Sequence, residues 1–158
     1  MNCSWPRRCP TPLLDFARPA TLAVLLLANL AMPSPGIADP REPVALSAAE
    51  RARLLQGMRV YLLTIQEIVE AAAIYKLDHI GDAARRAGAA MLADVEPATA
   101  LKLPLAFMAL SLETHQKFDE LADGAKRHMP RSEVLAALGG IIARCNGCHE
   151  SYRLDMPP

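Results

Sequence analysis

The residues best suited to chemistry are Cys145, Cys148 and His149, which belong to the pentapeptide Cys-Asn-Gly-Cys-His near the end of the chain. The spacing C-x-x-C-H is the attachment signal of c-type haem. On one turn of helix, both thiols can reach the vinyl groups of one porphyrin, and the imidazole that follows can reach the iron as proximal ligand. Redox-active C-x-x-C pairs and zinc half-sites share the pattern, so the rest of the chain must decide between them.

The first 38 residues have the three parts of a secretory signal peptide. A polar start with three arginines and one acid is followed by an uncharged apolar run over residues 20–32, and small residues precede a cleavage site after Ala38. The apolar run has about 13 residues, fewer than the roughly 20 that a spanning helix needs. We therefore expect export to the periplasm, no stable membrane insertion after cleavage, and a mature domain over residues 39–158.

Charge and cysteine content narrow the function of the mature chain. The whole chain has 17 Lys and Arg and 17 Asp and Glu, of which the predicted signal peptide holds three and one, so the mature net charge is about −2. Since no basic patch is present, we expect no nucleic-acid partner. Two of the four cysteines leave with the signal peptide, so Cys145 and Cys148 are the mature pair and no disulfide framework is expected.

Apolar residues at three- and four-residue steps predict four amphipathic helices and no strands. Ser47 and Glu50 form an S-x-x-E capping box, which predicts a first helix to about position 74. Asp78 is expected to cap a second helix that ends near position 92. Pro104 and Pro130 are expected to begin the third and fourth helices. The stretch from 94 to 102 is expected to be a loop, and the tail from position 155 is expected to fray.

Two apolar stripes define the predicted inward faces. The stripe of the first helix comprises Leu54, Leu55, Met58, Leu62, Ile65, Val69 and Ala72. The stripe of the fourth helix comprises Leu135, Leu138, Ile142, Cys145, His149 and Tyr152. These stripes predict an all-α fold, an antiparallel four-helix bundle with haem attached on the last helix. Because only 4% of the residues are aromatic, a porphyrin would supply much of the bulk of the core.

A four-helix chain with C-x-x-C-H near the end of its last helix resembles the class II cytochromes c, the cytochrome c prime family. The resemblance covers about residues 47–153 and is most specific in the motif C-x-x-C-H-x-x-Y-R over residues 145–153. It implies that Cys145 and Cys148 hold one haem c covalently and that His149 is the proximal iron ligand. It also implies a homodimer formed through the first two helices.

The resemblance leaves the sixth iron position open. Family members with a Met there are six-coordinate electron carriers, and members with an apolar residue bind nitric oxide or carbon monoxide at five-coordinate iron. Met58 lies on the first-helix stripe and is a candidate distal ligand, whereas the family spacing measured from Arg51 places Leu55 there instead. His115 is a further candidate ligand, and Arg51 is a candidate contact for a haem propionate. The resemblance puts Arg153 near the proximal imidazole.

The favoured hypothesis is a periplasmic monohaem cytochrome c that carries single electrons to a protein partner. The alternative is a gas-binding cytochrome c prime with Leu55 on the distal side. A zinc protein fits less well, because a tetrahedral site usually needs a second pair of ligands. The sequence pairs no nucleophile with a general base, so we expect no enzymatic activity.

Overall fold

A computed structural model describes residues 38–156, and this part of the chain is mostly helical. The α-helices are α1 (Ala48–Ala73), α2 (Leu77–Arg86), α3 (Pro97–Ala100), α4 (Leu105–Lys126) and α5 (Arg131–Ser151), and a 3₁₀ helix covers Ala89–Asp94. The strands are β1 (Glu42–Ala45) and β2 (Tyr152–Asp155). The predicted all-α character is confirmed apart from these strands. The predicted signal peptide lies outside the described residues except for Ala38.

The start of α1 follows from the predicted capping box. The Glu50 N–H donates to Ser47 Oγ at 3.4 Å, and the Ser47 N–H donates to Glu50 Oε2 at 2.8 Å. Two backbone groups that the helix leaves unpaired are thereby satisfied. The Glu50 carboxylate is buried and also accepts hydrogen bonds from Lys102 Nζ at 2.8 and 2.9 Å. The cap therefore ties the start of α1 to the segment that follows α3.

The second predicted helix is wrong in length. α2 ends at Arg86, and the chain passes through Gly88 into the 3₁₀ helix instead of continuing as one α-helix. A Cβ atom at Gly88 would overlap the carboxylate of Asp119 on α4. The same carboxylate accepts the Ala89 N–H at 2.8 Å. An acidic side chain of another helix thus occupies the space beside Gly88 and holds the backbone at the break.

Two local starts also differ from the prediction. Lys76, without a side-chain hydrogen bond, is the N-cap residue of α2, and Asp78 lies in the first turn. An acidic residue in the first turn still stabilises the helix through its interaction with the helix dipole. The stretch predicted as a loop contains α3, with Pro97 at the start, where proline is well tolerated. α4 and α5 begin directly after Pro104 and Pro130, as predicted.

β1 and β2 pair in parallel, so the prediction of no strands was wrong. Glu42 pairs with Tyr152 and Ala45 with Asp155, and the Leu46 N–H continues the ladder by donating to Asp155 O at 3.0 Å. The tail that was expected to fray is therefore hydrogen-bonded through Asp155. Each strand has four residues, too few to show the period of two by which strands are recognised.

Buried apolar side chains form two clusters. The main core comprises Ile68, Ala71, Ala72, Ile80, Ala83, Ala84, Ala87, Phe118, Leu121, Ala122, Ala125, Val134, Leu138 and Ile141. The strap cluster, named for the strand pair that supplies part of it, comprises Val44, Leu46, Phe107 and Tyr152. Leu54 and Cys148 pack against the strap cluster. Tyr61 and Ile65 pack against the main core.

The predicted inward stripes are correct only in part. On α1, Leu62 is 69% exposed and Val69 47%, and on α5, Leu135 is 47% exposed and Ile142 39%. The fully buried positions of α5 are Val134, Leu138 and Ile141. Leu138 is common to both sets, so the packed face of α5 is rotated from the predicted stripe by less than the 100° that separates successive residues.

α1 and α5 run in opposite directions. Near the start of α1, Leu54 packs on the same cluster as Cys148 near the end of α5. At the other ends of the two helices, the Arg131 guanidinium carbon lies 4.5 Å from the centroid of the Tyr75 ring. Within the described range, no helix is both long enough and apolar enough to cross a membrane.

Candidate cofactor site

The last two turns of α5 carry the C-x-x-C-H motif. Cys145 and Cys148 are free thiols, and both are half-buried. Burial raises the pKa of both thiols, and the charge of Cys145 raises the pKa of Cys148 further. His149 is exposed. The motif therefore places two half-buried thiols one helical turn apart, followed by an exposed imidazole.

The strand pair and the strap cluster hold the end of α5. The Tyr152 N–H donates to Cys148 O as the chain leaves the helix. The Tyr152 ring then packs edge to face on Phe107, with 5.3 Å between centroids. Arg41, just before β1, donates from Nη1 to the carbonyl oxygen of His149 at 3.3 Å. The N-terminal strand segment is thus bonded directly to the backbone of the motif.

Tyr61 of α1 lies near the two thiols, and the sequence had not singled it out. Burial raises the pKa of its hydroxyl, and the charges of Cys145 and Cys148 raise it further, so the hydroxyl is within electrostatic range of both sulfurs. The ring stacks on Phe118 with centroids 5.7 Å apart. The hydroxyl lies 2.6 Å from Nε2 of His115 on α4. The signal that could have identified Tyr61 is its helical spacing from Leu54 and Met58.

Both ring nitrogens of His115 are engaged within the protein. Nδ1 lies 2.8 Å from the carbonyl oxygen of Ala87, and a carbonyl can only accept, so Nδ1 carries the proton. In the neutral imidazole Nε2 then accepts the hydrogen bond from Tyr61. His115 is 3% exposed. Its role as an iron ligand would require one of these buried hydrogen bonds to break.

Met58 lies on α1 between the residues that pack on the two clusters. Leu54, four residues earlier, contacts the strap cluster, and Tyr61, three residues later, contacts the main core. Steps of four and three bring these side chains to one face of the helix. Met58 and Leu55 are both half-buried, and Leu55 lies on the adjoining edge of that face. Of the two predicted distal candidates, Met58 thus lies on the face of α1 that packs against both clusters, and Leu55 lies at the edge of this face.

The two arginines predicted near the cofactor have different surroundings. Arg51 is exposed in the first turn of α1. Arg153 forms an ion pair with Asp155, with 3.2 Å between Nη2 and Oδ2, and donates to the carbonyl oxygen of Arg41. Because Arg41 donates in turn to His149 O, Arg153 is linked to the motif through the strand pair.

The structure brings Tyr61 together with His115, and Cys148 together with Leu54 at the strap cluster. A separate surface depression is lined by Tyr75, Lys76, Leu77, Asp78, His79 and His128, and it includes none of the predicted site residues. Within residues 38–156, no group of three or more His, Cys, Asp and Glu side chains is arranged to hold a metal ion. A haem iron needs no such group, because the porphyrin supplies four nitrogen ligands.

Comparisons with known proteins found no relative of this chain. No protein-family model, no curated protein and no solved structure matches it. The functional interpretation therefore rests on the motif and on the geometry around it.

Proposed function

We propose that this protein is a monohaem c-type cytochrome of the class II type that carries single electrons in the periplasm. Cys145 and Cys148 hold the haem through thioether bonds, and His149 is the proximal ligand. The observation that carries the proposal is the placement of Cys145 and Cys148, both half-buried, one turn apart on α5, followed directly by the exposed His149. Cys148 packs against the apolar strap cluster, which suits a porphyrin better than a charged ligand.

The apolar edges of α1 and α5 support a site for a large flat cofactor. Both helices carry exposed apolar side chains, among them Leu62 and Val69 on α1 and Leu135 and Ile142 on α5. Helical geometry puts Leu55 on the same edge as Leu62, and His149 on the same edge as Ile142. The exposed edge of α5 thus includes the proposed proximal ligand, and that of α1 includes one distal candidate.

We assign the distal position to Met58. Leu54, one turn before it, shares the strap cluster with Cys148, and Tyr61, one turn after it, lies near both thiols. Met58 therefore lies at the level of the motif on the helix that runs opposite to α5. His149 and Met58 would hold the iron of a bound haem, which would supply one-electron chemistry. Phe118 and the stacked Tyr61 ring exclude water from the inner side of this site.

The bundle arrangement belongs to the same proposal. We infer that α1, α2, α4 and α5 are the four members of an antiparallel bundle, with the 3₁₀ helix and α3 extending the second member. Ion pairs that join neighbouring helices support this order: Glu67 with Arg86, Asp119 with Arg85, and Glu113 with Arg144. A protein redox partner and a homodimer also follow from the proposed class.

The competing function is gas binding at five-coordinate iron. Leu55 favours it, because this half-buried leucine lies on the apolar edge of α1 that adjoins Met58. Leucine has no atom that can ligate iron, so a distal Leu55 would leave the sixth position open. The two functions therefore differ in a property that spectroscopy measures directly.

The test is the optical spectrum of the protein produced in a host that attaches haem to exported c-type cytochromes. We expect a low-spin ferric spectrum with the weak band of methionine–iron ligation. The variant Met58→Ala should lose this band, and Met91→Ala, which removes another half-buried methionine, should keep it. A high-spin ferric spectrum in the unmodified protein, with ready uptake of carbon monoxide after reduction, would identify the gas binder and refute the Met58 assignment.

A further inference from the structure

The buried contact between Tyr61 and His115 has no part in holding the proposed haem, yet Tyr61 lies one turn after Met58 on α1, the helix whose Leu54 packs with Cys148 on the strap cluster. It joins three segments of the chain: Tyr61 on α1, His115 on α4, and the carbonyl of Ala87 just after α2. The Tyr61 ring also contacts the His115 ring edge-on, with 5.3 Å between centroids. The geometry of both rings is therefore fixed by several contacts.

The position of the proton on His115 determines which role each ring nitrogen has in the hydrogen bonds to Ala87 and Tyr61. Since Nδ1 donates to Ala87 O at 2.8 Å, the lone pair of the neutral imidazole is on Nε2. A neutral histidine binds a metal through this lone pair. The Tyr61 hydroxyl, 2.6 Å from Nε2, donates its hydrogen bond to the same lone pair. A buried imidazole in the form that can ligate iron is thus capped by a residue one helical turn from the proposed distal ligand Met58.

We infer that Tyr61 is a positioning residue that selects the distal ligand of the site. By hydrogen-bonding Nε2 of His115, Tyr61 keeps this imidazole from the iron and leaves the distal position to Met58. This inference rests on the proposed function, and it adds a residue and a role that the motif does not contain.

His115 and Met58 can compete for the distal position because imidazole nitrogen and methionine sulfur both ligate haem iron. Without the hydroxyl, the Nε2 lone pair would be buried and unpaired, which is an unfavourable state that a metal ligand bond relieves. Tyr61 lies three positions after Met58 on α1, so the hydroxyl that caps His115 and the proposed distal ligand belong to the same helix.

The test variant is Tyr61→Phe, which keeps the ring and its stacking on Phe118 and removes only the hydroxyl. In the haem-loaded protein we expect it to lose the methionine–iron band, to remain low-spin, and to acquire a lower reduction potential, because a histidine ligand stabilises ferric iron relative to methionine. Tyr75→Phe is the matched control, since Tyr75 is 68% exposed and lies at the other end of α1. It should leave the spectrum and the potential unchanged.

A second variant identifies the entering ligand. Tyr61→Phe combined with His115→Leu removes both partners of the Tyr61–His115 hydrogen bond, and the Ala87 carbonyl loses its donor as well. It should regain the methionine–iron band. A Tyr61→Phe protein that keeps this band would overturn the inference, as would a double variant with the same spectrum as Tyr61→Phe.

Nuclear magnetic resonance of the haem-free chain tests the hydrogen bond without the cofactor. We expect the nitrogen shifts of His115 to show a protonated Nδ1 and an Nε2 that accepts a hydrogen bond, and Tyr61→Phe should change the Nε2 shift most. A proton on Nε2 in the unmodified chain would refute the inference. Failure to attach haem would refute the proposed function as well, whereas a haem-loaded Tyr61→Phe protein that keeps Met58 ligation would refute this inference alone.

Discussion

Lys102 Nζ lies 2.8 and 2.9 Å from the two carboxylate oxygens of Glu50, a residue that is 7% exposed at the start of α1. Hydrogen bonds from Lys102, and then from Ser47, lower the pKa of Glu50 from 4.5 to about 2. Because the folded-state pKa is below the unfolded value, the ionised carboxylate stabilises the fold above about pH 4.5, and this contribution is lost as the pH falls towards 2.

We therefore expect Glu50→Gln to lower the free energy of unfolding at neutral pH and to flatten its dependence on pH between about 4.5 and 2. Urea unfolding followed by circular dichroism at a series of pH values measures both effects. Glu120→Gln is the control, because Glu120 is an exposed acid on α4 with a distant ion-pair partner. An unchanged pH slope in Glu50→Gln would contradict the role assigned to this carboxylate.

Glycine at position 128, just after the C-cap of α4, should make the fold more stable than the native histidine. His128 has a φ of 60°, in the left-handed region that costs a non-glycine residue about 1 kcal/mol. The Met129 N–H donates to Gly124 O at 3.1 Å, as in a Schellman motif, in which glycine is preferred at this position. We expect His128→Gly to raise the free energy of unfolding by about 1 kcal/mol, measured by urea unfolding.

Tyr75, with a φ of 58°, provides the comparison for that variant. Its ring stacks on the Arg131 guanidinium, so Tyr75→Gly relieves the same backbone conformation but loses this contact. Its gain should be smaller than that of His128→Gly. A loss of stability in His128→Gly would show that the imidazole makes a stabilising contact that outweighs the backbone gain.

Two glycines should respond in opposite directions to alanine. At Gly88 a Cβ would overlap the Asp119 carboxylate, which also pairs with Arg85 at 2.6 Å. We expect Gly88→Ala to lower the free energy of unfolding by about 1–3 kcal/mol. At Gly139, in the interior of α5, nothing lies within 4 Å of the Cβ position. Gly139→Ala should raise it by about 0.5–1 kcal/mol, because alanine loses less backbone entropy in a helix. Equal effects from the two variants would contradict the packing at Gly88.

The strand pair should control access to one thiol more than to the other. Val44 on β1 is 1% exposed and belongs to the strap cluster, against which Cys148 packs. Val44→Ala should cost about 1–2 kcal/mol and expose Cys148, so its alkylation in the haem-free chain should accelerate more than that of Cys145. Mass spectrometry of the two labelled sites measures the ratio. Val95→Ala, at a 41% exposed position, is the control. Equal acceleration at both thiols would show that the strap does not act locally.

The starts of α1, α4 and α5 could be predicted because their causes are local. Ser47 and Glu50 satisfy each other within one turn, and Pro104 and Pro130 each precede a long amphipathic segment. The pairing of β1 with β2 could not be predicted, because it joins segments more than a hundred residues apart and each is too short to show a period. The break at Gly88 depends on a carboxylate of another helix for the same reason.

Some residues of the candidate site could likewise be recognised from the sequence, whereas others depend on how the helices pack. The motif and Met58 are recognisable from spacing within one helix. The contact of Tyr61 with His115 depends on how α1 packs against α4, and a tyrosine on an apolar stripe carries no local sign of its partner. The rotation that exposes Ile142 also depends on neighbours, since the Arg144–Glu113 ion pair on the other side of α5 turns that side towards α4.

The central claim is that Cys145 and Cys148 attach one haem covalently, and the most direct measurement is the intact mass of the exported protein after denaturation, together with its pyridine haemochrome spectrum. We expect the mass of the mature chain plus one haem, with the absorption band of haem bound by two thioethers. Cys145→Ser and Cys148→Ser should each shift this band to that of a single thioether or lose the haem. A chain without added mass, or haem that denaturation removes, would contradict the account.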